Sequence, residues 1–283
     1  MKAGRDKSRE GFKAYMFLNN SMRLVPFAFY SPYENMAIDE YLVEYYEKTR
    51  RPVLRLYSWR PAGISIGKNQ DAQGDIDLEK CAAASVAVVR RMTGGGAIYH
   101  KNELTYSITC SEKDISDGVL TVKETFEKLN AFIIGMYSKF GFKAAYSKDV
   151  FPSGVSHGQR APLCYAANEE YDIIINSKKI GGNAQMRKKD IIFQHGSIPL
   201  ENNKEAPGFC RGDVASSNYT SLNELTGREI GEDEAAANLM AAFMEEFGVD
   251  LRREPLGMDE KRGVVGLLTA KYAMNNWNLK KIK

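Results

Sequence analysis

The stretch RRMTGGGAIYHKNELTYS, residues 90–107, places three consecutive glycines between a pair of arginines and a Tyr-His pair. Glycine inside regular structure costs about 0.5–1 kcal/mol relative to alanine, because its backbone loses more freedom on folding. A fold that keeps Gly94, Gly95 and Gly96 together therefore needs bare backbone at this point. We expect another chemical group to lie directly against these three residues.

Strands flank the glycines on both sides. The segment VAVVRR (86–91) leads into them, and AIYH (97–100) and ELTYSITC (103–110) follow as two more strands, because all three are rich in β-branched or aromatic residues. The glycines thus lie between strands, and no Gly-Lys-Ser or Gly-Lys-Thr follows them. The segment is therefore not a phosphate-binding P-loop.

Capping motifs mark two helices. Ser31, Pro32 and Glu34 open the first, and Thr121 with Glu124 opens the second. In such a capping box, a hydroxyl and a carboxylate three residues apart satisfy each other's backbone amides at the start of a helix.

Further elements alternate along the chain without a clean repeat. Strands are predicted at PVLRLYSW (52–59), AGISIG (62–67), YDIIIN (171–176), KKIGGNAQ (178–185) and DIIFQHGSIPL (190–200), with a short helix at DIDLEKCAAAS (75–85). A turn is predicted near Asn176 and Ser177, and a second, basic one at Arg187, Lys188 and Lys189. From about residue 232 onward the pattern is helical.

Composition limits the class of protein. The chain has 283 residues, 43% of them hydrophobic and 27% charged, which indicates one large domain or a domain with a small appendage. The net charge of +3 argues against a general nucleic-acid binder. Residues 1–27 lack the apolar core of a signal peptide, and no run approaches the length of a membrane span. We therefore expect a cytoplasmic protein that binds neither nucleic acid nor membrane.

Cysteine and histidine, the residue types that most often bind zinc, are few. They are Cys81, Cys110, Cys164, Cys210, His100, His157 and His195. The cysteines form no CxxC pair and the histidines have no metal-ligand spacing, so we predict no metal and no disulfide. A conspicuous cysteine is then a candidate nucleophile.

Two long motifs resemble the paired motifs of the lipoate-protein ligase and octanoyltransferase family, which is related in fold to biotin protein ligases. They are RRMTGGGAIYH (90–100) and KKIGGNAQMRKKDIIFQHGSIPL (178–200). The resemblance implies an α/β (α+β) fold of the biotinyl/lipoyl transferase type, with a mixed, largely antiparallel sheet flanked by helices. We expect a tail at residues 1–22, a catalytic domain at 23–250 and a helical tail at 251–283.

The resemblance also implies where an acyl chain binds. In the family, the Arg-Arg-x-x-Gly-Gly-Gly strand and the Lys-x-x-Gly-x-Ala strand line a tunnel for a lipoyl or octanoyl chain. Carried onto this sequence, the substrate-binding residues are Arg90, Arg91, Gly94, Gly95, Gly96, Tyr99, His100, Gly182, Ala184 and His195. A side chain at the glycines would fill such a slot, whereas an acyl tail contributes about 0.8 kcal/mol per buried methylene.

One branch of the family carries the acyl group on a cysteine, and LCYAANEEYDIIINSKKIGGNAQ (163–185) resembles that branch. The resemblance makes Cys164 the nucleophile, and Lys179 is placed to hold a carbonyl oxygen or share a proton. The plain alternatives are a small buried apolar cysteine and an exposed strand lysine. The polar surroundings of Cys164 favour a loop and therefore function.

Three functions remain open. The first is transfer of an octanoyl (or lipoyl) group from acyl carrier protein, with octanoyl acyl carrier protein as the expected partner, through a thioester on Cys164 to a lysine. The acceptor is a lipoyl domain or glycine-cleavage H protein, and no cofactor is needed. The second is an ATP- and magnesium-dependent lipoate-protein ligase that forms lipoyl-AMP. The segment GGGAIYH (94–100) is closer to the ligase version of this motif than to the transferase version. The third is a non-catalytic homologue that binds a lipoylated partner. The connection HKNELTYS (100–107) and the C-terminal LLTAKYAMNNWNLKK (267–281) favour the first.

Overall fold

The computed structural model describes residues 21–151, 169–211 and 219–280. The strands in these ranges are β1 (Ser21–Tyr30), β2 (Val53–Trp59), β3 (Gly63–Ile66), β4 (Ala87–Arg90), β5 (Ile98–His100), β6 (Glu103–Ser111), β7 (Ala145–Tyr146), β8 (Ile173–Ile175), β9 (Lys178–Lys179), β10 (Gly182–Lys188), β11 (Ile191–Pro199) and β12 (Asp250–Arg253). The helices are α1 (Pro32–Thr49), α2 (Ala72–Asp75), α3 (Leu78–Ala83), α4 (Glu112–Ile115), α5 (Val122–Lys139), α6 (Ser147–Val150), α7 (Leu222–Thr226), α8 (Glu232–Phe247), α9 (Met258–Leu267) and α10 (Asn275–Asn278). A 3₁₀ turn covers Ala206–Phe209, and a turn of π-helix, Leu268–Tyr272, joins α9 to α10.

The strands of the described residues form one large sheet and two small ones. The large sheet has the order β10-β11-β6-β2-β1-β12, antiparallel from β10 to β2 and parallel from β2 to β12. The small sheets have the orders β4-β3-β5 and β7-β8-β9. The prediction of a mixed, largely antiparallel sheet flanked by helices is confirmed.

Strand β6 separates two different layers of the interior. Its alternate residues Leu104, Tyr106, Ile108 and Cys110 all lie in the main hydrophobic core, together with residues of α5 and α8. The intervening residues are polar and equally buried, and one of them, Ser107, donates a hydrogen bond to Asp39 of α1. The alternation therefore gives the sheet an apolar face under α5 and α8 and a buried polar face under α1.

Both predicted capping boxes are present. The amide of Glu34 donates to Ser31 Oγ (3.3 Å), and the amide of Ser31 donates to Glu34 Oε2 (2.9 Å). Thr121 and Glu124 make the same pair of hydrogen bonds at 3.2 and 2.8 Å. These bonds begin α1 and α5, the two longest helices of the described residues.

The predicted single strand at 178–185 is wrong, because the chain breaks at Gly181. Strand β9 belongs to a small sheet and β10 to the large one. Gly181 has a φ of +84°, and a Cβ there would lie 2.2 Å from the carbonyl oxygen of Ser197. Only glycine fits such a position without strain, so Gly181 passes the chain from one sheet to the other.

Other boundaries also differ from the predictions. The basic turn is shorter than predicted, because Arg187 and Lys188 end β10 and the turn itself is Lys189–Asp190, with Lys189 at a φ of +56°. The turn at Asn176 and Ser177 is confirmed, since both residues have positive φ.

Three strands of the described residues were not predicted: β1, β12 and the two-residue strand β7. Strand β1 lies inside the large sheet, and β12 pairs with it in parallel, Ser21 opposite Asp250. The predicted limits of the tails and the catalytic domain stay predictions. Across the described ranges, 21–151, 169–211 and 219–280, none of the helices combines the length and the apolarity that crossing a membrane requires.

Replacing Gly181 by alanine should destabilise the protein more than the same change at Gly141. Both residues have a φ of +84°, but a Cβ at Gly141 would meet nothing within 4 Å. We expect Gly141→Ala to lower the free energy of unfolding by about 1 kcal/mol and Gly181→Ala by about 3 kcal/mol or more. Urea unfolding of the two variants measures the difference. Equal losses would contradict the close approach of Gly181 to Ser197.

Candidate active site

The side chain of Arg91 shapes the loop that carries the three glycines. Its Nη2 donates to the carbonyl oxygens of Gly94 and Gly96, both at 2.7 Å. Its Nη1 donates to the carbonyl and hydroxyl oxygens of Ser65 (3.0 and 3.2 Å), and its Nε donates to Thr93 Oγ1 (3.2 Å). The guanidinium is buried, so these acceptors compensate for its lost hydration. One side chain therefore holds the glycine loop, residues 94–96, in its observed shape.

Bare backbone is needed at two positions, Gly95 in the loop and Gly67 beside it. Gly95 has a φ of +94°, a conformation that other residues adopt only with strain. Its carbonyl oxygen also lies so close to Gly67 that a Cβ on Gly67 would be 2.0 Å from it. A Cβ on Gly94 would meet nothing within 4 Å, so the space beside Gly94 is open. The loop thus contacts β3's C-terminal end on one side and leaves room on the other.

His195 is held between a hydroxyl group and a carboxylate. Its Nε2 lies 2.7 Å from Thr93 Oγ1, and its Nδ1 lies 3.7 Å from Asp39 Oδ2. We assign the ring proton to Nδ1, which faces the carboxylate of Asp39, so that Nε2 accepts the hydroxyl proton of Thr93. Burial lowers the pKa of His195 below its ordinary value, and Asp39 only partly opposes this effect. The ring is therefore neutral near pH 7.

Asp39 is a buried carboxylate with several donors. It accepts hydrogen bonds from Arg55 Nη1 (2.6 Å), Tyr57 Oη (2.9 Å) and Ser107 Oγ (3.0 Å). Burial by itself would raise its pKa, but the charge of Arg55 and the interaction with the nearby His195 bring the pKa below its ordinary value. Asp39 is therefore charged and holds the imidazole of His195 in one orientation.

His100 forms a second arrangement of the same kind. Its Nδ1 lies 2.7 Å from Glu103 Oε1, and its Nε2 lies 2.7 Å from the hydroxyl of Ser65, which also accepts from Arg91. The ring stacks on Trp59, with centroids 3.7 Å apart and an interplanar angle of 9°. Two carboxylate–histidine–hydroxyl chains therefore meet at the guanidinium of Arg91.

Strand β11 brings the second motif to this network. Ser197 Oγ donates to Glu103 Oε2 at 2.6 Å. In the sheet, Gly182 lies opposite Ser197 and Ala184 lies opposite His195. The predicted site residues of both motifs, apart from those discussed next, are thus brought to one region between β6, β11 and the glycine loop.

Two predicted substrate contacts are placed differently. Tyr99 lies in a separate small hydrophobic cluster and packs against Phe209, with ring centroids 5.2 Å apart. Arg90 is buried, and its Nη1 donates to the carbonyl oxygens of Gly67, Lys68 and Gln70 at 2.7–3.0 Å. The assignment of these two residues to substrate binding stays a prediction.

Lys179 is buried, in contrast to an ordinary strand lysine. Its side chain is 1% exposed, and its Nζ lies 2.6 Å from Asp172 Oδ2. Asp172 also accepts the amide proton of Glu169 at 2.6 Å. A buried ammonium that is paired with an oriented carboxylate is typical of a functional site, although structural ion pairs show the same features.

The predicted nucleophile, Cys164, lies outside the described residues. The other three cysteines are buried in the core. Burial raises the pKa of the Cys81 thiol to about 11 and that of Cys210 to about 12, and it raises the pKa of Cys110 as well. These three thiols are therefore protonated at neutral pH and cannot act as thiolate nucleophiles.

Sequence reasoning missed the two carboxylates that orient the histidines. Asp39 follows Asn35 by four residues on the buried face of α1, and Glu103 begins the polar face of β6. Polar residues that repeat at the helical or strand period within apolar segments are the signal that could have found them. Within the described residues, no group of three or more His, Cys, Asp or Glu side chains could hold a metal ion.

Comparison with known proteins agrees with this geometry. Residues 31–244 match the family model described as the lipoyl protein ligase A/B catalytic domain. The chain belongs to this family. Strand β1 and the segment from β12 to α10 lie outside the matched range.

Relatives extend the family likeness over most of the chain. The octanoyltransferase LipM of Exiguobacterium sp. is 32% identical over 261 residues, which are 87% of this chain and 94% of that protein. The octanoyltransferase LipM of Bacillus subtilis is 31% identical over 267 residues, 89% of this chain and 95% of that protein. A solved structure of lipoate-protein ligase A bound with ATP superimposes with a TM-score of 0.78, covering 93% of this chain and 100% of that chain. Its identity is 22%, so this last likeness concerns the fold.

Acid should destabilise the protein through His195. Since its folded pKa lies below the ordinary 6.5, the unfolded chain binds more protons between the two values. The stability from neutral His195 is therefore present above about pH 6.5 and is lost as the pH falls toward the folded pKa. The variant His195→Gln does not lose stability in this way, because glutamine does not titrate. We expect the stability gap between parent and variant, measured by urea unfolding, to shrink between about pH 7.5 and 5.5. A constant or widening gap would contradict the neutral ring.

Proposed function

We propose that this protein transfers an octanoyl group from octanoyl acyl carrier protein to Cys164, and from there to a lysine of a lipoyl domain or glycine-cleavage H protein. The similarity to octanoyltransferases of two genera, over nearly the whole length of each, supports the transferase activity. The cysteine intermediate and the two partner proteins are the more specific parts of the proposal. They rest on residues of this chain, as follows.

The burial of the described cysteines supports Cys164 as the nucleophile. A thioester intermediate needs a thiol that ionises near neutral pH. Burial raises the pKa of Cys81, Cys110 and Cys210, which removes them as candidates. Of the four cysteines in the sequence, Cys164 remains. It lies five residues before Glu169, whose amide binds Asp172, the partner of Lys179.

The proposed reaction is a pair of acyl exchanges. In the first, the Cys164 thiolate attacks the thioester carbonyl, a C–S bond to Cys164 forms, and the carrier thiolate leaves and takes up a proton. In the second, the neutral amine of the acceptor lysine attacks, a C–N bond forms, and the Cys164 thiolate is released while the nitrogen loses a proton. Both steps pass through an oxyanion. Because the donor thioester is already activated, the reaction needs no nucleotide.

The described residues supply two further parts of this chemistry. The open space beside Gly94 gives the acyl chain a surface without side chains, where each buried methylene contributes about 0.8 kcal/mol. The ammonium of Lys179, held by Asp172, supplies a positive charge for the oxyanion or for the Cys164 thiolate. His100, His195 and Arg91 keep the glycine loop in shape for the chain.

The main alternative is an ATP- and magnesium-dependent ligase that activates a free carboxylate as an acyl adenylate. The sequence GGGAIYH (94–100) is closer to the ligase form, and a ligase shares the fold. At 22% identity, that likeness does not extend to the reaction. The need for ATP therefore separates the two functions experimentally.

Octanoyl transfer should proceed without ATP and should pass through Cys164. We expect octanoyl carrier protein to octanoylate a lipoyl domain in the absence of nucleotide, with a transient octanoyl adduct on Cys164 in the intact mass. Cys164→Ala should abolish transfer while the fold persists, because no thioester can form. Cys210→Ala, which removes a buried thiol, serves as the control and should keep its activity. If modification instead requires ATP with free octanoate or lipoate, and no adduct can be trapped, the ligase function is correct.

Lys179→Ala should lower the turnover number by a factor of about 10² or more, the usual loss when oxyanion stabilisation or proton transfer disappears. Its neighbour Lys178 is exposed, so Lys178→Ala is a matched control that should keep the parent rate. Steady-state kinetics of both variants provide the measurement. Similar rates for the two variants would assign Lys179 a purely structural role.

A further inference from the structure

The C-terminal strap, residues 272–280, is bonded to the strand that carries the glycine loop. Trp277 Nε1 donates to the carbonyl oxygen of Arg90 (2.9 Å), and the amide of Arg90 donates to Asn278 Oδ1 (3.0 Å). The Arg90 side chain also binds the strap, because its Nε donates to the carbonyl oxygen of Trp277 (3.0 Å). Backbone and side chain of one arginine are thus held by two adjacent residues of the strap.

The strap is itself fixed to α1. Lys271, just before it, lies 2.6 Å from Glu40 Oε2, and the hydroxyl of Tyr272 donates to the same oxygen. The ammonium of Lys271 also lies 3.8 Å from the ring centroid of Trp277, a cation–π contact. Asn278 Nδ2 donates to the carbonyl oxygen of Tyr272 (2.7 Å), which closes the strap on itself. Glu40 follows Asp39, so α1 anchors the strap next to the residue that orients His195.

Arg90 connects the strap to the glycine loop through residues 67–70. Its Nη1 donates to the carbonyl oxygens of Gly67, Lys68 and Gln70, at 3.0, 3.0 and 2.7 Å. Gly67 lies directly against the carbonyl of Gly95, as described above. The connection therefore runs from the strap through Arg90 and residues 67–70 to the loop.

A hydrogen bond also joins residues 67–70 to the chain just before the glycine loop. The amide of Lys68 donates to the carbonyl oxygen of Thr93 at 2.7 Å, immediately before the glycines. Residues 67–70 thus contact the chain at Thr93, just before the glycine loop, and at Gly95, in the middle of the loop. A shift of residues 67–70 would move Gly95 toward or away from the open space beside Gly94.

We infer that the C-terminal strap positions the glycine loop for the acyl chain, with Trp277 and Asn278 acting through Arg90. The inference rests on the proposed function in one respect, that the loop binds the octanoyl chain of the donor. Trp277 and Asn278 are positioning residues, because they act on the loop through Arg90. They should therefore affect the binding of the acyl donor and leave the binding of the acceptor protein unchanged.

Trp277→Phe tests the inference, because it removes the bond to the Arg90 carbonyl and keeps an aromatic ring in place. We expect amide hydrogen exchange to increase in residues 67–70 and 93–96, and the KM for octanoyl carrier protein to rise about three- to ten-fold, the effect of one lost hydrogen bond. The KM for the acceptor should stay constant. Asn278→Ala should act in the same direction, and the exposed neighbour Asn276 gives the control Asn276→Ala, with no change in either measurement.

Unchanged exchange at residues 67–70 and 93–96 in Trp277→Phe would overturn the inference, as would an equal rise of both KM values. The exchange measurement does not depend on activity. If the parent protein transfers no octanoyl group, the proposed function fails, while the exchange result still decides whether the strap positions the loop.

Discussion

The buried guanidinium of Arg91 is the interaction on which the rest of the site depends. An arginine in the interior keeps its charge, and each of its five N–H groups needs an acceptor. Here the acceptors are two hydroxyls, a carbonyl of β3 and two carbonyls of the glycine loop. The loop must therefore turn its carbonyl oxygens inward, and Gly95 must take a positive φ to do so. The glycines are therefore a consequence of this requirement, and the space beside Gly94 that they leave open is the surface we propose for the acyl chain.

The same guanidinium explains why two histidines lie in the interior. Each hydroxyl that accepts from Arg91 also lies 2.7 Å from the Nε2 of a histidine, and we assign the hydroxyl proton to this contact. The Nδ1 proton of each ring then needs an acceptor, which Asp39 and Glu103 supply. Paired polar groups in such a buried network hold one another in place, whereas the loss of one member leaves polar groups without hydration. Ser107, on the polar face of β6, extends the network by donating to Asp39 of α1.

The sequence predicted those parts of the fold that local patterns determine. Both capping boxes, the apolar face of β6 and the two motifs could be recognised because each depends on residues that are close in the chain. Strand β1 was missed because Pro26 interrupts its pattern, and the structure has a register shift between Val25 and Ala28 at that point. Strand β12 is short, largely exposed and charged, as edge strands often are. The break at Gly181 depends on Ser197, sixteen residues away, which no local pattern reveals. In the site, the carboxylates were missed because their need arises only when α1 covers β6.

A crystal structure with octanoate bound tests the central claim most directly, namely that the loop held by Arg91 is the acyl-binding surface. The account predicts electron density for the acyl chain along Gly94–Gly96, in the space where a Cβ on Gly94 would meet no atom, with the five hydrogen bonds of Arg91 retained. An acyl chain bound elsewhere at full occupancy, with the space beside Gly94 empty, would contradict it.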